Sequence, residues 1–354
     1  MLTLVRGGMG GSETYADGLM RALAACPDVD VSVHVSREAA GAYGVREIIE
    51  PRIRGGGSTQ ARLFTQAQAA ILGRSIRRKF ADADVVHYPF TVPSPGAPRS
   101  IPWVQSLLDV QHHDLAELFG SAERAYRAFT YDRPARRATA VITISEFSKQ
   151  RIVECLGVEA NRVHVAHLGV DTDHFLPQRG ERDRFVLYPA RGWPHKNHSR
   201  LVEAMRIVRA QAPDMRLVLT GGGLDALGDL PEWVDKRGLV SQEELRELYR
   251  RAACLAFPSR YEGFGLPPLE AMASGCPVAA ARAGSLPEIC GDAAEMFDPD
   301  DVRDIARAVL AAVAAGPRRV DAGLEQCARF TWKACAEAHV RVYRDVVEQS
   351  RARS

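Results

Sequence analysis

The sequence predicts two doubly wound α/β domains. Three observations carry that reading. A chain of 354 residues exceeds what one core organises and fits two domains of roughly 150–200 residues each. Strand-like apolar runs alternate with helix-periodic segments in both halves. The alternation is interrupted by one polar stretch, 171–183 with Pro177 and Gly180, where a linker belongs. The composition is 46 % hydrophobic, 25 % charged and 7 % aromatic, which excludes a disordered tail, a fibre and a low-complexity protein.

In the first half, Asp84–His87, Pro102–Leu107 and Ala140–Ile144 read as buried strands. In the second, Arg184–Pro189, Met215–Thr220, Cys254–Pro258 and Pro277–Ala281 do so. Ser199–Gln211 and Ser241–Ala253 show the apolar period of helices. Ser241 with Glu244 forms a capping-box pattern at the start of the latter. A last helix is expected over Ala336–Val347. The expected division is therefore 1–170, 171–335 and a C-terminal helix in 336–354. In a fold of this class ligand binds outside the carboxyl ends of the strands.

The 46 basic and 44 acidic residues leave a net charge of +2, so no global field holds nucleic acid. Residues 1–170 carry 20 basic against 17 acidic residues. Seven of those basic residues, with no acidic one, lie between Pro51 and Phe80. Arg124, Arg127, Arg133, Arg136 and Arg137 form a second cluster. These are either solvated helix faces or surfaces for an anionic lipid or acceptor. The seven cysteines are odd in number and show no C-x-x-C spacing, the pattern of reduced thiols. The start of the chain has no apolar core for a signal peptide, and no run approaches the roughly 18 apolar residues of a membrane span. A cytoplasmic protein is expected. Of the 46 basic residues only five are lysine: Lys79, Lys149, Lys196, Lys236 and Lys333.

The strand Cys254–Pro258 runs into Glu262, Gly263, Phe264, Gly265, Leu266, Pro267, Pro268, Leu269 and Glu270. Gly263 and Gly265 permit backbone torsions closed to other residues. The two prolines suit a first helical turn, and Gly275 suits a helix stop. A Gly-rich loop feeding a helix N-terminus offers free amides to a phosphate. Glu270, one turn into the helix, suits a ribose diol. Glu262, before the loop, suits a hydroxyl of a second sugar. Together they describe a nucleotide sugar better than a bare nucleotide.

The segment from Glu262 to Glu270 resembles the E-x7-E signature of the retaining glycosyltransferases of family 4, group 1, which are built on the GT-B fold. Gly284-Ser-Leu-Pro-Glu288, Phe330-Thr-Trp332, Ser145-Glu-Phe-Ser148 and Leu168-Gly-Val-Asp171 are similar to family wording over nearly the whole chain. The resemblance implies two Rossmann-like domains facing across a cleft, with the C-terminal helix packing back on the first. It implies a phosphate-binding Arg191 and Lys196 in the segment Ala190–Asn197, where Ala190 replaces the family's usual glycine and Asn197 reads as a helix cap. Cations there meet the charge that grows on a departing pyrophosphate. The nucleobase is expected near Gly222 and Val240.

In the first half, Gly7–Glu13 lacks the G-x-G-x-x-G spacing of a dinucleotide fingerprint. It is closer to the family's G-G-x-E loop, which implies that Gly10 and Gly11 approach the donor diphosphate. Asp109-Val-Gln-His112 resembles a phrase of bacterial polysaccharide mannosyl- and rhamnosyltransferases, although Leu108 stands where many members have histidine. The phrase implies that His112 contacts the donor sugar, with Asp109 as its partner or as an acceptor contact, and that the donor is GDP-mannose. The other expected partner is a glycan or lipid-linked acceptor, reached with peripheral contact at the inner membrane face. No cofactor or metal is expected. Asp171-Thr-Asp173 falls in the linker, and His195 and His198 have no third ligand in view. A sugar-nucleotide epimerase of the same fold and a catalytically silent relative are the alternatives.

Overall fold

The computed structural model describes residues 1–2, 10–41, 43–54, 59–89, 91–178 and 180–353. The short apolar run at the N-terminus falls largely outside them. The chain folds into two compact units: Met1–Gly169 with Trp332–Ser354, and Val170–Thr331. Among the described residues, no helix is long and apolar enough to cross a membrane.

Among the described residues, the first unit holds two parallel sheets. One pairs β1 (Ser32–Ser36) with β2 (Arg46–Glu50). The other has the order β3 (Val86–Tyr88), β4 (Trp103–Ser106), β5 (Ala140–Thr143) and β6 (Val163–Val165). Leu107, Val110, Val141, Ile152 and Val163 pack in one buried cluster against this sheet. The helix Glu146–Leu156 starts where the Ser145 hydroxyl accepts the Ser148 amide at 3.0 Å and ends at Gly157 in the left-handed region, which accounts for Ser145 in the Ser145–Ser148 motif.

The C-terminal helix spans Trp332–Arg353, starting four residues earlier than the division expected at 336. It belongs to the first unit, and two of its contacts there involve buried groups. The Trp332 indole lies against Gly18 of the helix Gly11–Ala24, where a Cβ would come within 2.3 Å of the ring. A buried polar chain then joins the helix to β3 and β4. Tyr343 Oη lies 2.7 Å from His87 Nδ1, and His87 Nε2 lies 2.8 Å from Ser106 Oγ. Ser106 Oγ lies 2.6 Å from Tyr15 Oη, and Tyr15 Oη lies 2.8 Å from His339 Nε2. His339 Nδ1 meets the Cys335 carbonyl at 2.8 Å. That carbonyl can only accept, so His339 carries its proton on Nδ1 and accepts from Tyr15 at Nε2. Ser106 then donates to Tyr15, His87 donates from Nε2 to Ser106, and Tyr343 donates to His87. Every proton in the chain is used once, with both histidines neutral.

Burial holds the His339 imidazole down at about 4 and His87 well below the ordinary value of 6.5. Unfolded imidazoles titrate near 6.5, so the unfolded chain binds protons first as pH falls. Stability from these neutral rings is complete above pH 6.5 and is lost on acidification toward pH 4. The expected slope is up to about 1.4 kcal/mol per pH unit for each histidine. Urea midpoints across that window check this, and a flat profile contradicts the neutral network.

The second unit is one parallel sheet in the order β12-β11-β10-β7-β8-β9. Its strands are β7 (Asp183–Pro189), β8 (Arg216–Thr220), β9 (Val234–Gly238), β10 (Ala252–Phe257), β11 (Val278–Ala281) and β12 (Ala294–Phe297). Counted within the unit this is the 3-2-1-4-5-6 order of a Rossmann sheet. The interior strands are buried apolar runs, as strands covered on both faces must be. The order reverses between β7 and β10, and the crevice at their carboxyl ends is where such a sheet takes ligand.

Candidate active site

Two loops leave the sheet at that reversal. β7 leads through Arg191 and Gly192 to the turn Pro194–Lys196, and β10 leads through Pro258 to Glu262. Lys196 Nζ donates to Glu262 Oε1 at 2.5 Å, with each side chain 14 % exposed. The backbones are tied as well, since the Arg260 amide donates to the His195 carbonyl at 2.9 Å. Beneath them the Tyr188 hydroxyl donates to the Lys196 carbonyl at 2.6 Å. Arg191 holds its guanidinium 5.5 Å from the centre of the half-exposed Trp193 ring.

Asn197 is not a side-chain cap. It precedes the helix His198–Gln211 at φ 62°, and its side chain bonds no helix amide. Its Nδ2 instead donates to the carbonyls of Pro258 (3.2 Å) and Pro299 (2.7 Å). The left-handed turn aims the amide across the sheet top, so Asn197 holds the loop after β10 against the loop after β12. Burial lowers His195 to about 4, the Lys196 charge adding to the effect and Glu262 opposing it. Burial also lowers His198 to about 4, against the pull of the Ala190 carbonyl.

The Gly-rich loop after Glu262 is held by the segment that follows β11. The Ser285 amide donates to the Glu262 carbonyl at 3.1 Å. The Ser285 hydroxyl reaches the carbonyls of Glu262 (3.1 Å) and Phe264 (2.6 Å). Gly284, at φ 59°, leaves no room for a Cβ, which would meet the Glu262 carbonyl oxygen at 2.7 Å and its nitrogen at 2.8 Å. The Gly284–Glu288 motif thus shapes the loop carrying Glu262. Gly265, at φ 112°, turns the chain into the helix Leu266–Ala273, with prolines in its first turn. Phe264 points its side chain into the core, edge-on to Phe330 at 5.8 Å, so only its backbone is placed to serve the site. Gly263 and Leu266 flank it with partial exposure.

Glu270 sits one turn into that helix, and its Oε2 accepts the buried Tyr249 hydroxyl at 2.8 Å. Burial raises the Glu270 carboxyl, while the Tyr249 bond and the Arg246 charge pull it back. Tyr249→Phe removes one of those pulls. The pH below which Glu270 protonates therefore moves up; with Glu270 as the expected ribose contact, nucleotide affinity is expected to fall more at acidic than at neutral pH. Calorimetric titrations at both pH values check this; an equal loss at both contradicts it. Arg182 supports the pair from below. Its guanidinium donates to the carbonyls of Arg250 (2.7 Å), Ala252 (3.2 Å) and Gly275 (2.5 Å). It thereby closes the carbonyl ends of the helices that carry Tyr249 and Glu270.

A third group of loops forms the lip beside Arg191. The Ala190 amide donates to the Thr220 carbonyl (2.8 Å), Gly192 to Gly222 (3.0 Å) and Gly221 to Gly238 (2.7 Å). A Cβ on Gly222 would meet only Leu239, at 3.8 Å, and Leu239 is 79 % exposed. Val240 follows with partial exposure. Ser241 accepts the Glu244 amide at 3.1 Å and caps the helix Gln242–Arg251.

The first unit places its expected residues differently. Gly10, at φ 56°, precedes the helix Gly11–Ala24, and its carbonyl accepts the amides of Glu13 and Thr14 at 2.9 and 3.2 Å. A Cβ on Gly10 or Gly11 would meet nothing within 4 Å. Asp109 is not the partner of His112. Asp109 Oδ1 accepts the Gln111 amide at 3.1 Å and starts the short helix Gln111–Asp114. The partner is Asp132, whose Oδ1 lies 3.0 Å from His112 Nε2 and whose Oδ2 lies 2.8 Å from His113 Nε2. Drawn in by that bond, His112 is 4 % exposed rather than open to a sugar, while His113 is exposed. The three residues bring ligand-type atoms within 4.8 Å of one another. Their donors suit hydrogen bonding better than metal. Each carboxylate oxygen already meets an imidazole nitrogen, and ligation through Nε2 would leave a buried Nδ1–H of His112 with no acceptor. In the linker, Asp171 binds the His174 ring at 2.7 Å.

The profile described as Glycosyltransferase Family 4 matches residues 9–174, and that described as Glycosyl transferases group 1 matches 170–325. The chain belongs to glycosyltransferase family 4. The family 4 chain is 34 % identical over 233 residues to the MMP alpha-(1->4)-mannosyltransferase of Mycolicibacterium hassiacum, covering 61 % of itself and 56 % of that protein. It is 31 % identical over 231 residues to the O-antigen chain mannosyltransferase B of Escherichia coli, covering 58 % of itself and 61 % of that protein. The chain thus matches less than two thirds of the length of these curated relatives. The sucrose-phosphate synthase of Thermosynechococcus elongatus has the same fold, with a TM-score of 0.76 at 21 % identity over 96 % of this chain and 94 % of that one. The fold is GT-B, two Rossmann-like units. Of the residues that position the candidate groups, Asp132 in the first unit and Arg182, Tyr249 and Ser285 in the second were missed by sequence reasoning. Only Ser285 had a signal, as part of the Gly284–Glu288 motif.

Proposed function

We propose that the protein transfers a hexose from a nucleoside-diphosphate sugar, GDP-mannose first, to a glycan or lipid-linked acceptor in cell-surface polysaccharide synthesis, with retention of the anomeric configuration. The observation that carries the reading is the Lys196–Glu262 pair at the sheet reversal, beside the loop and helix that end in Glu270. The mannosyltransferase names of the relatives support the sugar.

Arg191 and Lys196 take the diphosphate and meet the charge that grows as the glycosidic bond breaks. The backbone of Gly263–Leu266 takes phosphate oxygens or sugar hydroxyls, Glu262 a sugar hydroxyl and Glu270 the ribose diol. Gly222 and Val240 line the base. The departing phosphate accepts the proton of the attacking hydroxyl, so the step needs neither a metal nor a protein carboxylate nucleophile. Arg74, Arg77 and Arg78, exposed on the helix Gly73–Arg78, support peripheral contact with an anionic membrane face.

The test incubates the protein with GDP-mannose, UDP-glucose or dTDP-rhamnose and a membrane extract, then reads sugar in lipid and the anomer by NMR. Transfer from one donor with an α-configured product from an α-donor is expected. Release of free nucleotide with an epimerised sugar supports the epimerase instead.

A further inference from the structure

The second unit carries a large aromatic side chain that its core does not take up. Among its described residues Trp193 is the one exposed phenylalanine, tyrosine or tryptophan, with 50 % of its surface open. An indole left in water forgoes the stabilisation that burial gives it. Its place in the chain is specific. Trp193 stands between Arg191 and Lys196, where the chain leaves the carboxyl end of β7.

The backbone there fixes where the indole starts. The Trp193 amide donates to the Arg191 carbonyl at 2.7 Å, and the Trp193 carbonyl accepts the Lys196 amide at 2.9 Å. Its torsions are extended, φ −88° and ψ 146°, as Pro194 demands of the residue before it. The tight turn brings Arg191 and Trp193 together, with the guanidinium carbon 5.5 Å from the indole centre. That is inside the reach of a cation–π contact, about 6 Å, for which tryptophan is the best ring. The buried His195 ring lies 5.6 Å from the same indole, at 40°, and limits its swing.

A cation–π contact engages the charge of the guanidinium and consumes none of its N–H donors. An arginine held in this way keeps its fork for phosphate oxygens. On a bare loop the same long side chain would lose its freedom at the moment of binding, at a cost in affinity. The unit's other tryptophan–arginine pair is the contrast. Arg209 lies 5.3 Å from the Trp233 ring, and its Nη1 is taken by the Met215 carbonyl.

We propose that Trp193 is the positioning residue of Arg191, its indole holding the guanidinium by a cation–π contact so that the fork meets the diphosphate already placed. The inference rests on the reading that Arg191 takes the diphosphate, and it gives the exposed ring a task within that reading.

The experiment uses the full chain and titrates GDP, UDP, dTDP and ADP by calorimetry. It compares the native protein with Trp193→Phe, Trp193→Leu, Arg191→Ala and the double variant Arg191→Ala/Trp193→Leu, and records each melting temperature. Trp193→Leu is expected to weaken the nucleotide that binds by about two- to fivefold, with Trp193→Phe between it and the native chain and all melting alike. With Arg191 already removed, Trp193→Leu is expected to cost nothing further. Native affinity in Trp193→Leu overturns the proposal. So does an equal loss from Trp193→Leu in the native and Arg191→Ala backgrounds, which assigns the ring to packing of the turn or to a contact of its own. If Arg191→Ala binds as the native chain does, or the native chain binds none of the four, the diphosphate reading itself fails and the proposal falls with it.

Discussion

Lys196→Ala is expected to slow sugar transfer by on the order of a hundredfold or more, with kcat falling further than KM rises. The ammonium lies 2.5 Å from Glu262 in a nearly closed setting, where charge is screened weakly. Its attraction for the leaving diphosphate increases as negative charge accumulates, so its loss falls on the transition state. The variant also strands Glu262 as an unneutralised carboxylate beside the phosphates. Glu262→Gln in the same chain removes that second penalty and should recover part of the loss, which makes the pair non-additive. Lys196→Arg should recover little, because a planar fork does not reproduce a compact charge on a flexible stem. Single-turnover rates on the variants check this. Native-rate transfer by Lys196→Ala would sink the assignment of the site.

Gly192→Ala is expected to abolish nucleotide binding and lower the melting temperature together. The added Cβ would lie 2.2 Å from the Gly223 carbonyl oxygen and 2.8 Å from its carbon, backbone atoms that cannot rotate away. Overpacking of this kind costs roughly 1–3 kcal/mol, and relief requires parting the loop of Arg191 from that of Gly222. Gly222→Ala is the contrast. Its Cβ meets only Leu239, at 3.8 Å, so the melt should hold while nucleotide affinity falls if that backbone lines the base. Scanning fluorimetry with calorimetric titration of GDP and UDP separates the two. Equal melting shifts for both variants count against the stitched lip.

Much of this was legible because burial on both faces writes a strand as an apolar run. β4, β5, β7, β8, β10 and β11 announce themselves in that way. The edge strands β9 and β12 keep charged residues, Asp235, Lys236 and Glu295 among them, because one side of an edge faces no partner strand. They were missed for that reason, as were the short β1 and β2. The Lys196 and Glu262 loops were legible because they are local phrases at strand ends. Their supports were not. Asp132 is 20 residues from His112, Ser285 23 from Glu262 and Tyr249 21 from Glu270. No periodicity couples residues that only tertiary packing brings together. Asn197 shows the opposite failure, a residue type common at helix starts whose amide was taken by the loops beneath it.

The helix Trp332–Arg353 has a consequence for dissecting the chain. The second unit is one uninterrupted stretch, 170–331, whereas the first is assembled from both ends of the sequence. For engineering, the second unit is a single segment set between the two pieces of the first. Excised, it keeps every strand of its sheet. A chain cut after Gly169 instead deprives His87 of Tyr343 and Tyr15 of His339, leaving a hole lined with polar groups where the last helix had lain. The half that lies first in the sequence is therefore completed last during synthesis. It waits for the ribosome to finish the other half before its own interior can close.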